Sequence, residues 1–254
     1  MTISKVAISA SLFLAMLTLA APLAHAQATG APADACAGGA GTGFDAQVAA
    51  CTALIDAPTT GPELRARAHD RRAFARWRKG YAIERDPATG APVDPVLADL
   101  DVALQLKPDY FEARLLRSQL RFNETDYDGA LADYANLTLL KPEDPRVWSG
   151  RALVRAVADR DLDAALTDAE RALKLDAGSV PAHFSRALVW YRKGQNQKAI
   201  ADFDAAAALP SAIYGRALAE SRLGRQAQGD ADLQKAVAAE PGVAAQFARW
   251  KIQP

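Results

Sequence analysis

Residues 199–206 read Ala199-Ile200-Ala201-Asp202-Phe203-Asp204-Ala205-Ala206, and two signals in this stretch decide the fold. Ala199, Phe203 and Ala206 follow the i, i+4, i+7 spacing that lines one stripe of an α-helix. The small residues admit a neighbouring helix closely, and the ring fills the space behind it. The second signal is the pair Ala201-Asp202, which returns as Ala98-Asp99, Ala132-Asp133, Thr167-Asp168 and Ala231-Asp232. Successive aspartates lie 34, 35, 34 and 30 residues apart. A period of that size is one helix–turn–helix unit, which buries its apolar stripe only by stacking on the next unit.

Working outward, the same stripe recurs as Val96-Leu100-Ala103, Ala130-Tyr134-Leu137, Ala165-Ala169-Ala172 and Gly229-Leu233-Ala236. Pro108, Pro142 and Pro241 stand twelve residues after the first member and punctuate the turn that follows. The preceding helices carry Arg72-Ala73, Arg117-Ser118, Arg151-Ala152, Arg186-Ala187 and Arg216-Ala217, a small residue permitting a tight crossing. Each arginine is placed to pair with the repeated aspartate of its own unit, which predicts an intramolecular ladder, with anion or peptide contacts as the alternative. In the first unit Arg72 and Val96 are 24 residues apart instead of 13 or 14, so Tyr81 to Pro92, with Asp86-Pro87 and Gly90, reads as a loop inserted between two helices.

This pattern resembles the tetratricopeptide repeat family from about Pro62 to Trp250. Ala199-Phe203-Ala206 matches the family's second-helix pattern, and Trp148 occupies its large first-helix position, where His69, Arg114, His183 and Ile213 stand in other units. The arrangement also looks like exported tetratricopeptide proteins of alphaproteobacteria, including Cys36 and the start Ala50-Cys51-Thr52. The resemblance implies an all-α, right-handed solenoid of antiparallel helix pairs. Residues 61–254 then hold about five pairs, with Gly242 to Trp250 as a terminal capping helix. It also implies a binding face on the first helices, where Asp70, Phe74, Trp77, Gln119, Phe122, Ser149, Leu153, Phe184, Leu188, Tyr191, Tyr214, Leu218 and Ser221 stand. Members that clamp a terminal carboxylate use asparagines where this chain has Asp70, Ser149, Phe184 and Tyr214, so that function is disfavoured. Phe74, Trp77, Phe122, Tyr191 and Tyr214 are the candidate interaction residues, because amphipathic rings bury partner surface at small entropic cost. The competing reading makes the same rings packing between layers.

The leader is a separate matter. Lys5, the apolar run Val6 to Leu19 and Ala24-His25-Ala26 have the three parts of a cleaved secretory signal peptide over residues 1–26. A retained membrane anchor is the alternative: Val6 to Ala26 just reaches bilayer length, but its Ser, Thr and small residues make it a weak span. Residues 27–60 read as a flexible Ala/Gly/Pro leader and a first helix, Phe44 to Ile55, stapled by the only cysteines, Cys36 and Cys51. Export to an oxidising periplasm makes a disulfide their simplest use, rather than metal binding or redox chemistry. Acidic and basic residues balance at 30 each, so the chain has no global nucleic-acid footprint. Arg65, Arg67, Arg71, Arg72, Arg76, Arg78 and Lys79 concentrate positive charge on one helix, a solvated face that could draw an anionic envelope component.

The chemistry of an enzyme is not apparent. Only His69 and His183 remain after the leader, without a nucleophile or orienting partner at motif spacing, and no phosphate loop, cofactor motif or zinc signature occurs. The sequence therefore predicts a non-catalytic protein or peptide interaction module, an adaptor or assembly factor of the cell envelope. Envelope-glycan or anionic-lipid binding is the alternative, and an enzyme of unidentified class comes last. Intact mass of the exported protein tests the leader. The expected mass lacks residues 1–26 and two thiol hydrogens; a species retaining the leader, or two alkylatable thiols, contradicts the respective part.

Overall fold

A computed structural model describes residues 31–39, 42–85, 90 and 92–253. The signal-peptide reading of residues 1–26 lies outside them. The chain divides into two compact units at residue 120, and each is a stack of antiparallel helix pairs, the first with a two-residue strand pair in its insert.

The first unit begins with α1 (Ala31–Ala37) and α2 (Phe44–Asp56). Helix α1 stands within the stretch that composition reads as a flexible leader. Its alanines favour helix, and Cys36 is tied to Cys51 of α2 by a disulfide, a clip that constrains the unfolded chain by roughly 3 kcal/mol for a loop of about 15 residues. Both cysteines are buried with Ala68, and Ala50, Leu54 and Ile55 pack around them. Helices α3 (Pro62–Lys79) and α4 (Pro95–Leu106) form the first pair, and α5 (Phe111–Asn123) packs on them. Val96, Leu100 and Ala103 of α4 are buried against Ala66 and Ala73 of α3 and against Tyr110, Ala113, Leu116 and Leu120. The insert between α3 and α4 is not only loop. β1 (Glu84–Arg85) and β2 (Pro92–Val93) pair antiparallel, with Glu84 opposite Val93. Asp94 then caps α4 by accepting from the backbone N–H groups of Val96 and Leu97 at 2.9 and 3.1 Å.

The second unit continues with α6 (Tyr127–Leu140), α7 (Pro145–Ala158), α8 (Leu162–Leu175), α9 (Val180–Arg192), α10 (Asn196–Ala205), α11 (Pro210–Arg222) and α12 (Gln226–Ala239), followed by the short α13 (Val243–Arg249). The stripes Ala130-Tyr134-Leu137, Ala165-Ala169-Ala172 and Ala199-Phe203-Ala206 are all buried. Each second-helix ring needs a hollow in the first helix that follows. A Cβ added at Gly150 would collide with the Tyr134 ring, and one at Gly215 with the Phe203 ring.

The turns also repeat. Eight residues after each ladder arginine the backbone enters the left-handed region, at Gly80, Thr125, Asp159, Gly194 and Gly224. Glycine accepts this conformation freely, whereas the β-branched Thr125, at φ 64°, is strained. Two outcomes follow for thermal and urea unfolding. Thr125→Gly is expected to gain about 1 kcal/mol. Gly150→Ala is expected to lose about 1–3 kcal/mol by overpacking, although alanine is the better helix former; a gain at Gly150 would contradict the ring-in-hollow packing.

Candidate functional site

The ladder expected from the Arg and Asp repeats is present at Arg72, Arg151, Arg186 and Arg216, with carboxylates buried at Asp99, Asp168 and Asp202 and half-buried at Asp232. Arg72 grips Asp99 through Nε and Nη2 at 2.9 and 2.6 Å, Arg151 grips Asp168 at 2.8 and 2.6 Å, and Arg186 grips Asp202 at 2.7 and 2.7 Å. Arg216 holds Asp232 at 2.6 and 2.7 Å in the same two-pronged way. Arg117 donates to Asp101 at 2.7 Å. The arginine four residues on reaches three of the repeated aspartates. Arg76 reaches Asp99 at 2.9 Å, Arg121 reaches Asp133 at 2.9 Å, and Arg155 reaches Asp168. The Arg-x-x-x-Arg spacing that makes this possible is visible in the sequence but only meaningful once both residues face the same carboxylate. Both histidines serve the ladder too: His69 Nδ1 lies 2.8 Å from Asp99 and His183 Nδ1 lies 3.0 Å from Asp202. Burial works to raise the Asp99 pKa, but hydrogen bonds from His69 and Arg72 with the charges of Arg72 and Arg76 overcome it and hold the carboxyl below its usual range. The ladder thus consumes the groups from which a reactive site would have been built. Among the described residues no three His, Cys, Asp or Glu side chains gather as a metal site.

The basic stretch of α3 is largely engaged as well. Arg65 donates to the Ala57 carbonyl, Arg67 to Glu63, Arg72 and Arg76 to Asp99, and Lys79 pairs with Asp45. Arg71 and Arg78 keep exposed side chains, with Arg78 lying over the Phe44 ring.

The candidate aromatics fall in two sets. In the first unit Phe74 and Trp77 are half-buried, their rings 5.8 Å apart, and both pack against the core of α3, α4 and α5. In the second unit Phe122 and Tyr191 are buried and Tyr214 is half-buried. What covers them is the chain itself. Trp250 lies 5.9 Å from Phe122 and 6.4 Å from Phe184, and Phe247 lies 4.7 Å from Tyr214. The Arg222 guanidinium stacks 3.8 Å from the Tyr191 ring centre. Helix α13 therefore contacts α11 and α12 and also lines the first-helix face of its unit. Main-chain hydrogen bonds hold the segment after it. Arg192 donates to the carbonyls of Trp250 and Lys251 at 2.8 and 3.2 Å, Arg222 donates to that of Gln253 at 2.9 Å, and the Tyr191 hydroxyl donates to the same oxygen at 2.5 Å. Burial pushes the Tyr191 phenol up against the pull of Arg222 and Arg192, so it keeps the proton it donates. Arg192, Arg222, Phe247 and Trp250 were not singled out by the repeat pattern. Arg192 and Arg222 occupy equivalent positions of the last two first helices, where the two preceding ones have Asn123 and Val157.

No family model and no curated protein matches the sequence. Solved structures do match in fold. A tetratricopeptide repeat protein from Parabacteroides merdae aligns with a TM-score of 0.62 at 18% identity, over 78% of this chain and 73% of that one. A thermophilic TPR protein from Thermus thermophilus aligns with a TM-score of 0.53 at 21% identity, over 62% of this chain and 88% of that one. The fold is tetratricopeptide-like. At such identities the likeness extends to the packing of the tetratricopeptide-like pairs and not to any ligand.

One first-helix position in the first unit carries a buried acid. Asp70 accepts from the Tyr110 hydroxyl at 2.9 Å, and burial pushes its pKa from 3.8 up to about 6, against the hydrogen bond and the charge of Arg71. The folded state therefore holds this proton to higher pH than the unfolded state does. Its contribution to stability is present below about pH 4 and is lost as pH rises through about 6. Asp70→Asn is expected to stabilise the protein at pH 7.5 by on the order of 2 kcal/mol, and to change little at pH 4. Urea unfolding at both pH values reads the difference; an equal effect at both would contradict the burial argument.

Proposed function

We propose that this chain is a non-catalytic module that holds a protein or peptide segment on the first-helix face of its repeats, acting as an adaptor or assembly factor in the cell envelope. The observation that carries the reading is the face of the second unit. There Phe122, Phe184, Tyr191, Tyr214, Arg192 and Arg222 already hold a polypeptide segment by ring contacts and main-chain hydrogen bonds. Rings supply area and arginine supplies directed donors, the combination common where proteins bind one another. Localisation to the periplasm rests on the leader sequence. Among the described residues no helix is long and apolar enough to cross a membrane, and the Cys36–Cys51 bridge suits an oxidising compartment. Binding of an anionic glycan or lipid through α3 has less support, because most of that helix's charges answer acids and carbonyls of the same unit.

Photo-crosslinking in the native envelope, with the crosslinker at Tyr214 or Trp77 of the full chain, tests this reading. A defined protein partner is expected from at least one position, competed away by unlabelled protein. Turnover of a defined substrate by the purified chain, with no specific crosslink, would reverse it.

A further inference from the structure

We infer that residues 243–253 are a displaceable internal ligand of the second unit, and that the face beneath them accepts a partner protein's segment of the same chemistry. That segment is a helical turn with two aromatic residues three positions apart, closed by a left-handed turn at the residue after the second ring. The inference rests on the reading of this face as a peptide-binding surface and adds its ligand pattern and its regulation.

The pattern is read from the occupant. Val243, Gln246, Phe247 and Trp250 are all buried and follow the i, i+3, i+4, i+7 stripe, while Ala245, Ala248, Arg249, Lys251 and Gln253 are exposed. Apolar recognition comes mainly from the two rings, set against Phe122, Phe184 and Tyr214, with Val243 and Ile252 buried at either end of the segment. Polar recognition is of backbone only. Arg192, Arg222 and Tyr191 take the carbonyls of Trp250, Lys251 and Gln253, so the side chains at 251 and 253 are not read. A face that recognises two rings and a run of carbonyls accepts any chain presenting them, the helix-in-groove mode with anchor residues on one stripe.

The occupant is also imperfect. Gln246 is 5% exposed, yet among the described residues its Oε1 has no hydrogen-bond partner, a cost of burying the segment that Gln119 of α5 also carries in its own helix. Glu240, just before the segment, likewise has a buried Oε1 without a partner, and the connector Pro241-Gly242 is exposed. The helix has seven residues, too few to persist as a helix once lifted from its contacts. An outside segment with an apolar residue at the Gln246 position binds without that defect. It must still compete with a tethered occupant, which lowers its apparent affinity by the fraction of time the face is open.

The test uses the full chain, as wild type and as the doubly substituted Phe247→Ala/Trp250→Ala. The probe is a fluorescent synthetic peptide of residues 241–254. The double variant is expected to fold and to bind the peptide at least about tenfold more tightly than wild type. Adding Tyr191→Phe and Arg222→Gln is expected to remove most of that binding. Hydrogen exchange on the wild type is expected to show amides of residues 246–252 opening at least about a hundredfold more readily than those of α9. Exchange as slow as in α9, or an unfolded double variant, would make the segment part of the core and overturn the inference. So would a folded double variant that ignores the peptide. A wild-type dimer abolished by Trp250→Ala would assign the face to a second copy and overturn the separate-partner assignment. If the crosslinked partner of the preceding section is still captured while the peptide is ignored, the interaction reading stands and only this inference fails.

Discussion

The rest of the structure depends on the arginine–aspartate rung. A carboxylate such as Asp168, 3% exposed, is costly to bury, and it is tolerated because two arginines from the facing helix meet both its oxygens. The rung fixes which faces of the two helices meet, and so the register in which the apolar stripes interlock. Such a pair adds little net stability over a well-packed apolar substitute, but removing one partner leaves a buried charge, at a cost of about 3–5 kcal/mol. Repetition of the rung constrains each pair toward the same crossing, which lets Tyr134 and Phe203 find a glycine at the same place in the next helix.

The ladder also bears on where the proposed recognition is left to occur. It engages the repeated arginines, the repeated aspartates and both histidines, removing most charged groups of the inner packing from any reactive role. What stays variable from unit to unit is the first-helix face: Asp70, Ser149, Phe184 and Tyr214 at one register position, Trp77, Phe122, Tyr191 and Ser221 at another. Repetition of structure with variation on one face is how repeat proteins separate stability from specificity.

The terminal segment changes the meaning of that face in the second unit. A solenoid end exposes apolar surface, and α13 meets α11 and α12, but the Trp250 ring just beyond it reaches further, to Phe122 and Phe184. Arg192 serves both purposes at once. Its Nε and Nη2 close the end of α7 at the carbonyls of Ala156 and Val157 while the same guanidinium takes the carbonyls of Trp250 and Lys251. Folding of the repeat and docking of the segment are thereby coupled through one side chain.

The helix pairs, their stripes and the aspartate ladder were legible in the sequence because each depends on spacing within 35 residues, and repetition let several imperfect copies vote on one register. The ladder's partners were legible for the same reason, since Arg72, Arg151, Arg186 and Arg216 each find the aspartate of their own unit. Less local features were not. Helix α1 formed in an alanine- and glycine-rich stretch because a disulfide and packing against α2 and α3 added to the modest helical preference of its alanines. The insert after α3 gained a ladder of two short strands from pairing that composition does not encode. Whether Phe122 and Tyr191 meet solvent or polypeptide depended on where residues 243–253 fold, more than 50 residues beyond Tyr191. Periodicity assigned those rings to a face, but only long-range packing decided that the chain's own segment lies across it.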